Sequence, residues 1–437
     1  MSDNLSSALL NTHQHAFLQP AFQQLLQQND PAIFAALCGE QQRQIDGVEL
    51  IPAENYTYPE VLALLGSVLT NKYSEGYPGR RYYGGQEFTD QIEILACERA
   101  KAVFNAEHAN VQPLSGSPMN QAAYFALLKP GDTILAMDLS HGGHLTHGAP
   151  VSHMGRVFNF VRYKTNVPSG ELDFDAIRQQ ALTCKPKLIL CGYSSYPKDL
   201  NYQAFKAIAD EVGAYTMADI SHIGGLVAGK VMNNPLDAGF DVVTTTTHKS
   251  LRGPRGGLIL CRQQHAKAID SSVFPGLQGG PHMNQVAATA VTLLKAQQDD
   301  FIEYCRQTLA NTQALAQTLC EEGVTLITGG SENHLLVVDT VKSFNLNGLE
   351  AEQLLDEIGI TVNKQVIPDD PLPPAKPSGI RIGSPAATTR GMVGTDLQTI
   401  AQWMVRCLRE PNNDKLRKTI KAEVQTFCRR FPVPGII

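Results

Sequence analysis

No lysine or arginine precedes Arg43. The opening of the chain therefore lacks both the basic start of a secretory signal and the Arg-rich helix of a mitochondrial transit peptide. No stretch nears the roughly 18 consecutive apolar residues of a membrane span. Charged residues are scarce, at 18% of 437, and 36 Lys plus Arg against 42 Asp plus Glu leave a net charge of -6. Without a basic field, nucleic acid and acidic membrane faces are excluded as main partners. The nine cysteines are odd in number, scattered and without a CxxC pair, which predicts free thiols in a reduced cytoplasm. Neither GxGxxG nor GxxxxGKS/T occurs, which argues against a dinucleotide or ATP enzyme.

What is present reads as a globular chain: 43% hydrophobic residues, 36 glycines and 25 prolines, long enough for two or three domains of roughly 150 residues. Residues 1–50 are Gln-rich, with Phe22, Leu25 and Leu26 at helical spacing and Asp30-Pro31 restarting a second helix, so a helical arm is predicted. Within a large domain placed at 51–299, helical stretches alternate from about 90 to 265 with short apolar runs at 133–138, 187–192, 214–219, 241–246 and 257–261. That alternation predicts an α/β fold, a mostly parallel sheet sandwiched by helices. Residues 300–437 read as a smaller α+β domain. An amphipathic helix carries Ile302, Cys305 and Leu309 and ends near Gly323, strands follow at 324–327 and 335–338, then a Pro-rich loop over 368–377 and a last helix from about Asp396.

The strongest chemical signal is the run Thr244-Thr245-Thr246-Thr247-His248-Lys249, placed after a buried strand and before a Gly-rich turn. A lysine at a sheet end among apolar and glycine residues is desolvated, which makes its neutral amine available for a Schiff base. Alone, Lys249 reads more readily as a solvated lysine starting a loop. Thirty residues earlier Asp219 ends a strand, where ligands bind in open α/β sheets. Such a carboxylate is also a common turn or cap residue. Paired with Lys249 it meets the demand of pyridoxal phosphate for an anion at the ring nitrogen.

Ser115-Gly116-Ser117 precedes a helical run and suits a phosphate, as it equally suits a simple cap. His141, His144 and His147 recur every third residue, but no acidic or Cys partner stands at ligand spacing, so no metal site is assigned. One of them is suited to stack on a flat cofactor. Arg381, in Ser378-Gly379-Ile380-Arg381, can offer its planar fork to a substrate carboxylate or take part in a surface ion pair.

Taken together these pieces resemble the serine hydroxymethyltransferase family of fold type I pyridoxal-phosphate enzymes. The matching strings run from about Leu50 to Pro434. They include Leu69-Thr70-Asn71-Lys72-Tyr73, Glu75-Gly76-Tyr77-Pro78-Gly79, Arg81-Tyr82-Tyr83-Gly84-Gly85, His141-Gly142-Gly143-His144-Leu145-Thr146-His147-Gly148, Phe274-Pro275-Gly276 and Gln278-Gly279-Gly280-Pro281. The resemblance implies a seven-stranded sheet and a homodimer with shared active sites, a tetramer remaining open. It implies that Lys249 carries pyridoxal 5'-phosphate, Asp219 pairs with the ring nitrogen, His144 stacks on the ring, and Ser194 and His222 lie near the ring hydroxyl. Ser115, Gly116, Ser117, Thr246 and His248 complete the cofactor site with Tyr73 and Gly280 of the other subunit. Arg381 and Ala53 meet the amino acid, Glu75 and Tyr83 reach its hydroxymethyl group across the dimer, and Leu139, Gly143, Leu145, Tyr82 and Gln365 meet tetrahydrofolate. The implied reaction moves the hydroxymethyl group of serine onto tetrahydrofolate, leaving glycine.

The chain departs from the family pattern in three places. Ala53 stands where a serine is common, Gln365 where an asparagine is usual, and Pro118-Met119 where Gln-Ala is usual. Proline fits the first helical turn. Ala53 and Gln365 keep open a second reading, a folate-independent aldolase or transaldolase acting on β-hydroxy amino acids such as threonine. A catalytically dead binding protein is a third, opposed by retention of Lys249, Asp219, Arg381 and Glu75.

Overall fold

Short runs of residues buried on both faces build the centre of the molecule, and helices cover them. The computed structural model describes residues 20–167 and 169–436; the side chain of Phe22 lies outside the described set. Asp30 restarts the arm as its spacing predicts. Its carboxylate accepts from the Ile33 amide at 3.1 Å and Pro31 opens the next helix, so Pro20–Asn29 is followed by Pro31–Asp46. Leu25 and Ile33 stay exposed in the single chain. No described helix is long and apolar enough to cross a membrane.

The main sheet has seven strands in the order His108–Asn110, Gly257–Cys261, Val242–Thr246, Tyr215–Asp219, Leu188–Gly192, Thr133–Met137, Asn159–Tyr163. Gly257–Cys261 runs antiparallel to both neighbours, and the other pairings are parallel. Five strands lie within a residue of their predicted bounds, because each holds four or five consecutive residues, mostly apolar or Thr, buried on both faces. The two edge strands carry no such run: His108–Asn110 is three residues long, and Asn159–Tyr163 opens on exposed Asn159. Pairing of Gly192 with Asp219 and of Asp219 with Thr244 sets two strand ends beside the middle of a third strand. Gly192 is required there. Its φ is +132° and a Cβ would lie 2.2 Å from the Asp219 carbonyl oxygen.

A second core gathers behind a three-stranded antiparallel sheet ordered Leu335–Asp339, Gly379–Gly383, Asn363–Gln365. The strand expected at 324–327 does not form. Only one bridge, Leu326 to Val338, is made before Thr328 takes a left-handed φ of +66° and turns the chain. The helix expected from Asp396 spans Gly394–Arg409 and is not the last, since Asp414–Cys428 follows it. The end of the arm joins this core: Val48–Glu49 pairs with Ile360–Thr361, and Val48 and Leu50 are buried among its residues. Helix Asp299–Glu321 belongs to both cores, placing Phe301, Tyr304 and Cys305 in the first and Leu315, Ala316 and Leu319 in the second.

Candidate active site

Asp219 ends its strand only 6% exposed, yet both oxygens are matched. Ser221 donates to Oδ1 from its amide (3.1 Å) and its hydroxyl (2.6 Å), while Asn120 (2.8 Å) and His147 (3.1 Å) donate to Oδ2. Burial alone would raise this carboxyl. The His147 hydrogen bond, the neighbouring imidazoles and Ser221 outweigh it and hold Asp219 well below the usual carboxylate range. His147 receives the His144 amide at Nδ1 (3.1 Å), so its Nε2 carries the proton given to Asp219. The acidic partner that spacing does not reveal is thus Asp219 itself. Its carboxylate and ligand atoms of His144 and His147 lie within 4.8 Å of one another, and His147 is hydrogen-bonded to the carboxylate. His141 takes no part and instead meets Thr165 (2.9 Å) and Asp369 (3.2 Å).

Lys249 follows the adjacent strand Val242–Thr246. Burial pushes its amine down to about 8; Asp219 pulls upward, and Arg381 and Arg255 push further down. Its backbone carbonyl is fixed twice, by the Arg252 amide (3.0 Å) and by Asn55 Nδ2 (3.1 Å). Asn55 also donates to Tyr304 (2.9 Å) and accepts from Thr389 (2.7 Å), so one amide ties four segments together. His144 turns its Nδ1 to Thr146 (2.8 Å), and burial with the nearby His147 lowers it to about 4, leaving a neutral ring.

Arg381 reaches in from the second core. Nε donates to Asn363 (3.1 Å), and Nη1 donates to the Ser194 carbonyl and meets His222 Nε2 at 3.5 Å. All these partners are neutral, and among the described residues no carboxylate pairs with the guanidinium, which burial lowers to about 10. Ser194 Oγ donates to the Gly143 carbonyl (2.7 Å), which sets the 141–148 segment against the Arg381 strand.

Helix Gly116–Leu127 points its amino end at this centre through Thr246, whose Cγ2 would lie 2.9 Å from a Cβ on Gly116. Ser115 at its cap makes no capping bond and Ser117 is exposed, so amides and hydroxyls are available to an anion. Buried His248 Nδ1 also lacks a partner. An available anion cradle, a desolvated amine and a matched anion together fit a phosphorylated aldehyde cofactor.

The remaining predicted residues gather elsewhere in the chain. Tyr73 donates to Glu75 (3.2 Å) and meets Tyr83 edge-on at 5.1 Å, and its ring lies 3.4 Å from where a Gly280 Cβ would be. Tyr82 packs edge-on against Phe274. None of these side chains bonds to Lys249, Asp219 or Arg381 among the described residues. Leu139 and Leu145 are exposed beside His144, Ala53 is half-buried, and Gln365 donates to the Val366 carbonyl (3.0 Å) at the end of its strand.

The family model for serine hydroxymethyltransferase matches residues 26–404. The chain belongs to the serine hydroxymethyltransferase family. Proteins named serine hydroxymethyltransferase are similar to it over 94% of its length: 51% identity with one from Desulfotalea psychrophila (96% of that chain), 49% with one from Rhodopirellula baltica and 50% with one from Prochlorococcus marinus strain AS9601 (97% of each). The family is of fold type I and uses pyridoxal phosphate with tetrahydrofolate as co-substrate, which the sheet described above accommodates. Asn55, Asn120, Ser221 and Asn363 were not singled out from the sequence as site residues. Each nevertheless stands in or beside a string that carries a predicted residue: Ile51-Pro52-Ala53-Glu54-Asn55, Ser117-Pro118-Met119-Asn120, Ser221-His222 after Asp219, and Asn363-Lys364-Gln365.

Proposed function

We propose that the centre around Lys249, Asp219 and Arg381 transfers the hydroxymethyl group of serine reversibly to tetrahydrofolate, giving glycine, 5,10-methylenetetrahydrofolate and water. The observation that carries this assignment is the guanidinium of Arg381, buried without a carboxylate beside a desolvated lysine. An unpaired buried cation awaits an anionic partner, and its fork matches an amino-acid carboxylate.

Lys249 would hold pyridoxal phosphate covalently, with Asp219 at its ring nitrogen, His144 on its face, Ser194 and His222 at its hydroxyl, and Ser115, Gly116, Ser117, Thr246 and His248 toward the phosphate. When bound, the cofactor supplies an electron sink for the pair released as a bond to the substrate α-carbon breaks. The chain's own residues do the rest. Arg381 fixes the carboxylate and thereby orients the bond to be broken. Asp219 stays anionic through its four donors. Neutral His144 adds a flat ring without a competing charge.

Glu75, with Tyr83, Tyr73 and Gly280, serves the centre of a second copy, where Glu75 moves the proton of the hydroxymethyl oxygen. In this reading the enzyme is a cytoplasmic homodimer, with 1–50 as the arm, 51–299 as the cofactor domain and 300–437 as the small domain. Leu139, Gly143, Leu145, Tyr82 and Gln365 receive the folate.

Serine cleavage measured with and without tetrahydrofolate tests the assignment, together with peptide mapping after borohydride reduction. Folate-dependent cleavage and a label on Lys249 are expected. A rate indifferent to folate, alongside ready threonine cleavage, would leave the aldolase reading in its place.

A further inference from the structure

Behind Arg381 stand two buried histidines, and the reaction above uses only His222. His334, fully buried just before Leu335–Asp339, lies against His222 with ring centroids 5.6 Å apart and planes at 26°. His222 Nδ1 is 3.4 Å from His334 Nε2, and His222 Nε2 is 3.5 Å from Arg381 Nη1. Both are long hydrogen bonds, but the donors can be ordered. A guanidinium has no lone pair and only donates, so His222 Nε2 must accept. Neutral His222 then carries its proton at Nδ1 and donates it to His334 Nε2. His334 in turn carries its proton at Nδ1, which is buried and turned toward the Pro52 carbonyl without closing a full hydrogen bond.

Both rings are neutral. Burial lowers His334 to about 3, with Arg381 and Lys249 acting in the same sense and the Pro52 carbonyl against them. Burial lowers His222 well below its ordinary value, with Lys249, Arg381, His334 and His144 adding to it. A buried donor that engages its one nearby acceptor only loosely is a cost that an apolar ring in the same space would not carry. The acceptor on the other side of the His334 ring accounts for its presence.

We propose that His334 is a positioning residue for the transfer reaction: its Nε2 lone pair holds His222 in the Nδ1-protonated form, so that His222 Nε2 aims the Arg381 guanidinium at the substrate carboxylate. The inference deepens the assignment of Arg381 and rests on it for the effect on amino-acid affinity, though the proton's place on His222 does not depend on that assignment.

Nitrogen-15 NMR of the histidine-labelled holoenzyme reads the tautomer directly. Protonated Nδ1 and bare Nε2 on His222 are expected, and the reverse overturns the proposal. Glycine affinity, followed through the cofactor's absorbance in the holoenzyme, supplies the second test. His334→Phe should weaken glycine binding about five- to tenfold, and His334→Gln, whose amide oxygen can accept from His222, should restore it to within about twofold. Unchanged affinity in His334→Phe, or equal weakening in both variants, reduces His334 to a packing residue. Arg381→Ala serves as the control. If it leaves glycine affinity unchanged the carboxylate assignment fails, whereas if it abolishes binding while His334→Phe does not, only the present inference fails.

Discussion

The Asp219 centre and the Tyr73 edge differ in how completely their polar groups are matched inside one chain. Asp219 receives four hydrogen bonds and is nearly inaccessible, whereas Tyr73 and Tyr83 are 55% and 49% exposed and meet mainly each other, Glu75 and glycine backbone. The first is fixed as the chain folds, since its donors, residues 120, 147 and 221, all belong to the same chain. The second presents aromatic and acidic groups to a surface that its own chain does not cover. In the proposed dimer, electrostatic preparation and proton handling would be assembled in separate events, folding for one and association for the other.

The widest test of this contrast mixes two defective chains. Lys249→Ala and Glu75→Ala should each lose folate-dependent serine cleavage by about 10²-fold or more. Dissociated and reassociated together, they should regain about a quarter of wild-type activity, because half of the dimers pair one chain of each kind and hold one intact centre. If mixing restores nothing, the Tyr73 edge does not serve a second copy.

Within the buried centre, matched and unmatched charges should respond oppositely. Arg381→Ala should raise the dissociation constant of glycine about 10- to 150-fold, the worth of a charge-assisted hydrogen bond of about 1.5 to 3 kcal/mol, with little loss of melting temperature. Asp219→Ala should instead cost about 3 to 5 kcal/mol of stability by urea denaturation, since Asn120, His147 and Ser221 lose their acceptor.

The amine gives a smaller, graded signal. With Lys249 lowered to about 8, its neutral fraction is roughly a tenth at pH 7. Competitive acylation of the cofactor-free chain, read by mass spectrometry, should rise about tenfold per pH unit up to 8 and then level, while exposed lysines keep rising toward about 10. A Lys249 profile that levels only with the others would remove its desolvation. Smallest of all, Gln365→Asn should shift the KM for tetrahydrofolate by no more than about tenfold and leave threonine cleavage unchanged.

Much of this was legible in the sequence wherever one local run carried the information. Five central strands are continuous runs buried on both faces, and Lys249, Asp219 and Ser115-Gly116-Ser117 each sit at the end of an element with its own signature. What escaped depends on distant partners or on short edges. Asn120 and Asp219 meet across 99 positions, and Asn55 and Thr389 across 334, so no window of sequence holds both. The missed helix Asp414–Cys428 is a different case. Ile420, Val424 and Phe427 stand at helical spacing and are buried, so its signal was present. The strand misread at 324–327 fails because Thr328 reverses the backbone, which apolar composition does not announce.

Helix Asp299–Glu321 carries a constraint of its own. Tyr304 near its start bonds to Asn55 and the Ser250 carbonyl, while Asn311 and Thr312 further along hold Thr388 and Ser384 beyond the Arg381 strand. One residue inserted between those anchor points would rotate everything downstream by about 100° and advance it about 1.5 Å. Loops can be lengthened without disturbing these anchors, whereas the spacing along that helix behaves as a ruler whose marks set both cores at once.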